Sequence, residues 1–353
     1  MRPPLALDPF ADVNDASALQ RRGHGPALAG IFPSPRETRY LFGVQPKAIG
    51  ETSIEPRADL KVGFACNNRC VFCAQGEKRS EAGTIPLAEL TERLRAVRGE
   101  GPRGLVLTGG EPTIHRDIVR LVATARALGF APIQVQTNGR MLAYARSIEA
   151  LLRAGVTEFS PSLHGSTAEV HDGLTRSAGS WAQSLQGIKN VVAARAPLVT
   201  NSVITRANLG DLPALVELLG SVGVRHAQLA YVHPVGTAAT MFAEVVPRLP
   251  EVVAPVRAAR AVAARFGLRL VTEAIPYCFL QGMEELAVEE NIPQTTVVDL
   301  DGQCADFSAW RVGAGKAHGE PCATCARRQA CEGPWREYPE AFGWSEFTPL
   351  RTP

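Results

Sequence analysis

The stretch Cys66-Asn-Asn-Arg-Cys70-Val-Phe-Cys73 organises the interpretation of the whole chain. Its three cysteines follow a C-x3-C-x2-C pattern in a short polar loop, directly after the apolar run Leu60 to Phe64. Thiolates at this spacing are ligands for iron–sulfur clusters or for zinc. A [4Fe–4S] cluster needs four ligands and the loop supplies three, so one iron would stay open to another ligand. A zinc site completed by a distant residue is the alternative.

From this loop onward, apolar runs typical of strands alternate with segments of helical spacing. The predicted strands lie at residues 60–64, 105–108, 133–136, 158–163, 198–204 and 226–232, with a further candidate at 268–275. Helical spacing covers residues 87–97, 114–128, 181–194, 212–219 and 252–266, and another helix is expected to end at Leu152. This alternation predicts an α/β fold, a partial (β/α)6 TIM-like barrel, with site residues at the carboxyl ends of the strands.

The composition limits the classes of function. The 353 residues carry a formal net charge of +2, which does not indicate a nucleic-acid partner. No apolar run approaches the roughly 18 residues of a membrane span, and the N-terminus lacks the apolar core of a signal peptide. The eight cysteines fall mainly into two groups, 66/70/73 and 322/325/331. Such grouping indicates metal sites in a reducing compartment, so we expect a cytoplasmic protein.

The pattern changes along the chain in a way that predicts three parts. Residues 1–58 are rich in proline, glycine and arginine and are expected to form an N-terminal extension. Residues 59–275 contain the β/α alternation and form the predicted barrel. Residues 276–353 lose helical periodicity and contain all five remaining cysteines, which predicts a small second domain.

A second motif, Thr108-Gly109-Gly110-Glu111-Pro112, follows the second predicted strand. Two glycines at a strand end allow the backbone to approach a ligand closely or to turn. An ordinary strand–helix turn would have the same composition. The motif lies one β/α unit after the cysteine loop, and this position favours a role in ligand binding over an ordinary turn.

Further polar residues lie at the predicted ends of later strands, where a hydroxyl or amide can bind a ribose or a carboxylate. Taken singly, each is equally well explained as a turn or cap residue. These candidates are Thr137, Asn138, Ser160, Ser162 and Asn201.

The cysteine loop, with Phe72 at its aromatic position, resembles the signature of the radical S-adenosylmethionine (SAM) superfamily, and Gly109–Pro112 resembles its glycine-rich motif. The resemblance covers about residues 58–331. It implies that Cys66, Cys70 and Cys73 hold a [4Fe–4S] cluster whose fourth iron binds SAM. It also implies that the Gly109–Pro112 motif binds the SAM amino group through Gly110 and Glu111, that Phe72 packs toward the adenine and that the strand-end residues above contact SAM. A flavodoxin or ferredoxin would supply the electron.

The C-terminal cysteines form a second candidate metal site. Cys322, Cys325 and Cys331 follow C-x2-C-x5-C, a spacing suited to one metal centre. The group resembles the auxiliary-cluster extensions called SPASM and twitch, which implies one auxiliary [4Fe–4S] cluster. Cys278 is the expected fourth ligand, and Cys304 is the alternative. A structural zinc ribbon would use the same residue types.

Three residues at predicted strand ends are candidates for catalysis, since a histidine or tyrosine there could face the substrate: His164, Tyr231 and Tyr277. His233 occupies a similar position. His171 and Asp172 follow His164, and capping of the next helix explains them as well as a catalytic role does.

These features predict a radical SAM enzyme that cleaves SAM to a 5′-deoxyadenosyl radical and abstracts a substrate hydrogen, in peptide or protein maturation. The first alternative is the same chemistry on a small metabolite. The alternative from another class is a non-enzymatic iron–sulfur protein for electron transfer or regulation, although such a carrier would not need a barrel.

Overall fold

The computed structural model describes residues 55–351, apart from residues 77, 82, 301 and 305. The strands are β1 Arg57–Lys61, β2 Gly104–Thr108, β3 Ile133–Thr137, β4 Glu158–Pro161, β5 Thr200–Ile204, β6 His226–Tyr231, β7 Arg269–Glu273, β8 Thr295–Asp299 and β9 Gly302–Cys304. The α-helices are α1 Lys78–Glu81, α2 Leu87–Gly99, α3 Ile118–Ala127, α4 Ala145–Ala154, α5 Ala168–Thr175, α6 Ser180–Ala193, α7 Leu212–Ser221, α8 Thr237–Thr240, α9 Phe242–Val245, α10 Leu249–Phe266, α11 Phe307–Trp310 and α12 Glu337–Phe342.

The first seven strands are parallel and follow one another in sequence order. Strands β1 to β4 form one parallel set and β5 to β7 form another. Single β-bridges, Phe159 to Leu198 and Ser162 to Asn201, connect the two sets. Strand β8 lies parallel to β1 on its other side, and β9 pairs antiparallel with β8. The carboxyl ends of the seven strands therefore meet at one face, which we call the mouth of the barrel.

The inner face of the barrel is polar. Along β1, Leu60 is fully buried in the apolar core that includes Leu90 of α2, whereas the alternate residues Asp59 and Lys61 are only partly buried. The Lys61 ammonium donates to Asp59 and to Thr108, both at 2.9 Å. Closed barrels are filled mainly by bulky apolar side chains. The inner face of this barrel also carries other polar residues: Gln134, Gln136, Glu158, Asn201, Gln228 and Glu273. Such a polar inner face suits a polar ligand.

The predicted α/β fold with a partial barrel is confirmed, and the candidate strand at 268–275 is present as β7. Strand β8 lies within residues 276–353 yet pairs with β1 of the barrel. Most of the predicted extension, residues 1–54, lies outside the described residues, and β1 begins at Arg57. The division into three domains stays a prediction.

In the described part of the chain, no helix combines the length and the apolar character needed to cross a bilayer.

Candidate functional site

The cysteine loop follows β1 at the mouth of the barrel and is held from two sides. The backbone N–H groups of Arg69 and Val71 donate to carbonyls at the end of α5, at 2.8 and 2.9 Å. On the other side, the N–H of Thr237 in α8 donates to the carbonyl of Cys73 at 3.0 Å. The loop is therefore fixed between elements that follow β4 and β6.

The three thiols of the loop lie close enough to influence one another. The pKa of Cys66 is raised to about 11, by burial first and then by Glu111 and Cys73, and that of Cys70 to about 12, by burial first and then by the Cys66 and Cys73 thiols. The Asn68 N–H donates to the Cys66 sulfur at 3.4 Å. Thiols with such raised pKa values are protonated at neutral pH unless a cation compensates their charge. An iron–sulfur core would provide that compensation, so the thiols fit such a group.

The two glycines of the second motif allow it to pack directly against the start of the cysteine loop. The Gly110 N–H donates to the carbonyl of Gly63 at 2.8 Å. A Cβ at Gly110 would lie 2.2 Å from the carbonyl oxygen of Ala65, and a Cβ at Gly109, where φ is +119°, would lie 2.3 Å from that of Gly63. Both positions therefore require glycine, because any side chain would collide with backbone.

Glu111 connects the loops after β2 and β3. Its buried carboxylate accepts from the N–H of Thr113 at 2.9 Å, the hydroxyl of Thr137 at 2.6 Å and the N–H of Asn138 at 2.6 Å. The Thr113 hydroxyl is a further donor. Burial raises the pKa of Glu111, and these donors oppose that effect. The side chain predicted to contact SAM is thus engaged within the protein, where it fixes two loops. Pro112 begins the short turn that follows.

Asn138 and Arg140 continue this network into the cysteine loop. The Asn138 amide donates to the Asn67 side chain at 2.6 Å, and Arg140 donates to the Asn68 side chain at 2.9 Å and to the Asn67 carbonyl. Arg79 donates twice to the Asn68 carbonyl, at 2.8 and 2.9 Å. Sequence reasoning missed both arginines and both loop asparagines. Asn67 and Asn68 could have been identified from the sequence, because both lie within the cysteine motif between Cys66 and Cys70.

His164 lies beside the cysteine loop and packs against Phe72. The two rings meet edge to face with centroids 4.7 Å apart, and His171 stacks on His164 at 5.5 Å. His164 Nδ1 accepts from the N–H of Val203 at 3.2 Å. Burial lowers the pKa of His164 well below its usual value and that of His171 to about 4, so both are neutral at neutral pH. Asp172 caps α6 by accepting from residues 179–181, as one interpretation expected.

The remaining candidates differ in whether they lie at the carboxyl end of a strand and in which face they occupy. Tyr231 lies on the outward face of β6, and its hydroxyl donates to the Pro247 carbonyl inside the core. This placement contradicts the expectation that Tyr231 faces the substrate. Ser160 lies within β4 and Ser162 just after it, whereas Asn201 is the second residue of β5 rather than a residue at its carboxyl end.

Four of the C-terminal cysteines line one hollow: Cys278, Cys322, Cys325 and Cys331. Burial raises the pKa of Cys278 to about 12, and the other three thiols add to this effect. Tyr277 lines the same hollow and is therefore close to these cysteines. Four thiols around one hollow fit a four-cysteine centre.

Cys304 lies at the end of β9, where it pairs with Val297 of β8. Among the described residues, no three His, Cys, Asp or Glu side chains are arranged around a single metal ion. Cysteines that bind different irons of one cluster do not need to converge on a single point. The four cysteines of the hollow are therefore compatible with such a cluster.

Five charged side chains at the carboxyl end of β7 form what we call the mouth cluster: Glu273, Glu289, Arg311, Lys316 and Glu332. Arg311 is ion-paired with Glu273 at 3.1 Å and with Glu332 at 2.9 Å. Lys316 is 3% exposed. Three carboxylates against two cations leave a formal excess of one negative charge. No sequence pattern predicts this cluster, because its members belong to no motif and are spread over residues 273–332.

Comparison with known proteins bears on these sites. Residues 60–219 match the model of the family described as Radical SAM superfamily. A relative from Saccharolobus islandicus, named Probable GTP 3′,8-cyclase, is 28% identical over 195 residues, which cover 54% of this chain and 61% of the relative. A protein of the same name from Methanopyrus kandleri is 32% identical over 180 residues, which cover 50% and 56%. The chain thus spans about three-fifths of the length of these relatives.

Solved structures show the same fold. The crystal structure of Streptococcus suis SuiB bound to S-adenosylmethionine matches with a TM-score of 0.59 and 17% identity, covering 80% of this chain and 73% of that one. Native anSMEcpe with bound AdoMet and the Cp18Cys peptide matches with a TM-score of 0.57 and 13% identity, covering 84% and 92%. At these identities the likeness concerns the fold.

Proposed function

We propose that this chain, whose residues 60–219 match the model of the Radical SAM superfamily, cleaves SAM reductively and abstracts a hydrogen atom from a peptide or protein substrate. The observation that carries this proposal is the loop with Cys66, Cys70 and Cys73. Its three mutually close thiols lie at the mouth of a barrel whose inner face is polar. The cofactors implied by the family are a [4Fe–4S] cluster and SAM.

When bound, these cofactors would supply a 5′-deoxyadenosyl radical after one electron is delivered, in a site that excludes competing reactions. The protein's part is positioning. Glu111 and Asn138 hold the loops after β2 and β3 against the cysteine loop. Phe72 and His164 provide a neutral aromatic surface on which a purine could pack. Cys278, Cys322, Cys325 and Cys331 would hold an auxiliary cluster, and a flavodoxin or ferredoxin in the cytoplasm would donate the electron.

The charges of the mouth cluster favour a peptide over a nucleoside triphosphate as the substrate. Of the structures named above, anSMEcpe is bound to a peptide, and SuiB has also been solved with the precursor peptide SuiA, whereas the curated relatives are named as GTP cyclases. The mouth cluster of this chain has more carboxylates than cations, and it would repel the several negative charges of a triphosphate. A peptide is compatible with this charge. Another small metabolite without phosphates is the second candidate, because the curated relatives act on a small molecule by name.

The test is anaerobic reconstitution with iron and sulfide, followed by addition of SAM and dithionite. We expect 5′-deoxyadenosine to form and about eight irons to bind per chain, four for each cluster. A chain with full iron content and no 5′-deoxyadenosine would overturn the proposal in favour of an electron carrier. Pools of deuterated peptides and deuterated metabolites then identify the substrate class by deuterium transfer into 5′-deoxyadenosine.

A further inference from the structure

Among the described residues, the mouth cluster contains three buried charged atoms with neither a hydrogen bond nor an ion pair: Nζ of Lys316, Nε of Arg311 and Oε2 of Glu289. The other oxygen of Glu289 accepts from the N–H of Ala274 at 2.7 Å. Lys316 Nζ lies 3.9 Å from the centre of the Trp335 ring, a cation–π contact that leaves its three hydrogens without acceptors. Buried charges normally have hydrogen-bond partners, so these two donors and one acceptor indicate a place for a polar group of a ligand.

The position of the cluster indicates what that group belongs to. Glu273 accepts from the side chain of Gln228, which lies on the inner face of β6. Glu332 directly follows Cys331 of the cysteine hollow. The mouth cluster therefore lies between the inner face of the barrel and the C-terminal cysteines. On the proposed function, a substrate held between the two redox sites would lie beside this cluster.

The charges of the cluster select the chemistry of the group. A phosphate or carboxylate would add negative charge to a cluster that already has a formal excess of one carboxylate. An ammonium group would be repelled by Lys316 and would leave its Nζ without an acceptor. An amide is neutral and presents an N–H donor for Glu289 Oε2 and a carbonyl oxygen, whose two lone pairs can accept from Lys316 Nζ and from a second donor such as Arg311 Nε. Both hydrogen bonds would involve a charged partner, which makes them stronger than neutral ones.

We propose that the mouth cluster binds an amide group of the substrate, with its carbonyl oxygen accepting from Lys316 Nζ and its N–H donating to Glu289 Oε2. The assignment rests on the proposed function for the location of the substrate and extends it to a specific contact. The ring of Trp335, stacked on His233 at 3.7 Å between centroids, provides a flat wall beside Lys316. Peptide bonds and the carboxamides of asparagine and glutamine meet this requirement.

The experiment measures binding directly on the reconstituted full chain by equilibrium dialysis with mass spectrometry. The probes are a pool of tripeptides that are N-acetylated and C-amidated, with GTP and free amino acids as comparators. The variants are Lys316→Met and Glu289→Gln. Lys189→Met is the matched control, because Lys189 lies exposed on α6. Thermal unfolding and iron content establish that each variant is folded. If Lys316→Met does not fold, Glu289→Gln still tests the site.

We expect wild type and Lys189→Met to retain members of the capped peptide pool in preference to GTP and free amino acids. Each site variant should lose about tenfold or more in affinity for the retained peptides, as expected when a hydrogen bond to a charged group is removed. Preferential retention of GTP, or equal retention by folded variants and wild type, would overturn the assignment. Binding does not require turnover, so absence of 5′-deoxyadenosine would count against the proposed function only.

Discussion

Replacing Glu111 by glutamine separates two roles of the glycine-rich motif. In the structure the carboxylate accepts hydrogen bonds from Thr113, Thr137 and the N–H of Asn138. Glutamine keeps one oxygen and presents an NH2 group to the remaining donors, so at least one charged hydrogen bond is lost and a donor is left unsatisfied. Each such loss costs about 1.5–3 kcal/mol, and we expect Glu111→Gln to lower the free energy of unfolding by about 3 kcal/mol.

The assay is urea-induced unfolding followed by circular dichroism under anaerobic conditions, with SAM affinity measured separately by equilibrium dialysis. Glu92→Gln is the control, since Glu92 is exposed on α2, and it should change stability by less than about 0.5 kcal/mol. The reasoning would be refuted if Glu111→Gln were as stable as the control while SAM affinity fell. That result would mean that the carboxylate serves SAM rather than the two loops.

Three further predictions concern separate parts of the molecule. Gly110→Ala would place its Cβ 2.2 Å from the Ala65 carbonyl oxygen, so we expect destabilisation by about 3 kcal/mol in urea unfolding; unchanged stability would contradict the close packing. Cys278→Ser should lower bound iron by about four atoms per chain while Cys304→Ser leaves it unchanged, and iron analysis with the opposite ranking would reassign the fourth ligand. Because burial lowers the pKa of His171 to about 4 from 6.5, its neutral form favours folding, and stability is lost as pH falls below 6.5. Wild type should therefore lose about 2 kcal/mol more than His171→Asn between pH 7 and pH 5, whereas equal pH dependence in urea titrations would exclude a buried neutral histidine.

The parts of the fold that follow from local patterns were predictable from the sequence. The apolar runs produced strands close to their expected bounds, and the cysteine loop and Gly109-Gly110-Glu111 lie after β1 and β2 as expected. The pairing of β8 with β1 was not predictable, because it joins residues more than two hundred positions apart and no local pattern encodes it.

The site was predictable where a motif marks it and unpredictable where distant loops meet. Arg140 reaches Asn68 only because the loops after β1 and β3 are neighbours at the mouth. The orientation of Tyr231 differs from the one expected for a simpler reason, which is that side chains alternate in direction along a strand. Gln228 faces inward, and Tyr231, three residues later, must then face outward into the core.

The central claim is that Cys66, Cys70 and Cys73 leave one iron open for SAM. Electron–nuclear double resonance of the reduced chain tests it most directly, with SAM carrying ¹³C in its carboxylate and ¹⁵N in its amino group, in the Cys278→Ser variant so that only one cluster contributes. The account predicts hyperfine coupling from both labels. A cluster that shows neither coupling, with its fourth iron bound by a protein side chain, would contradict it.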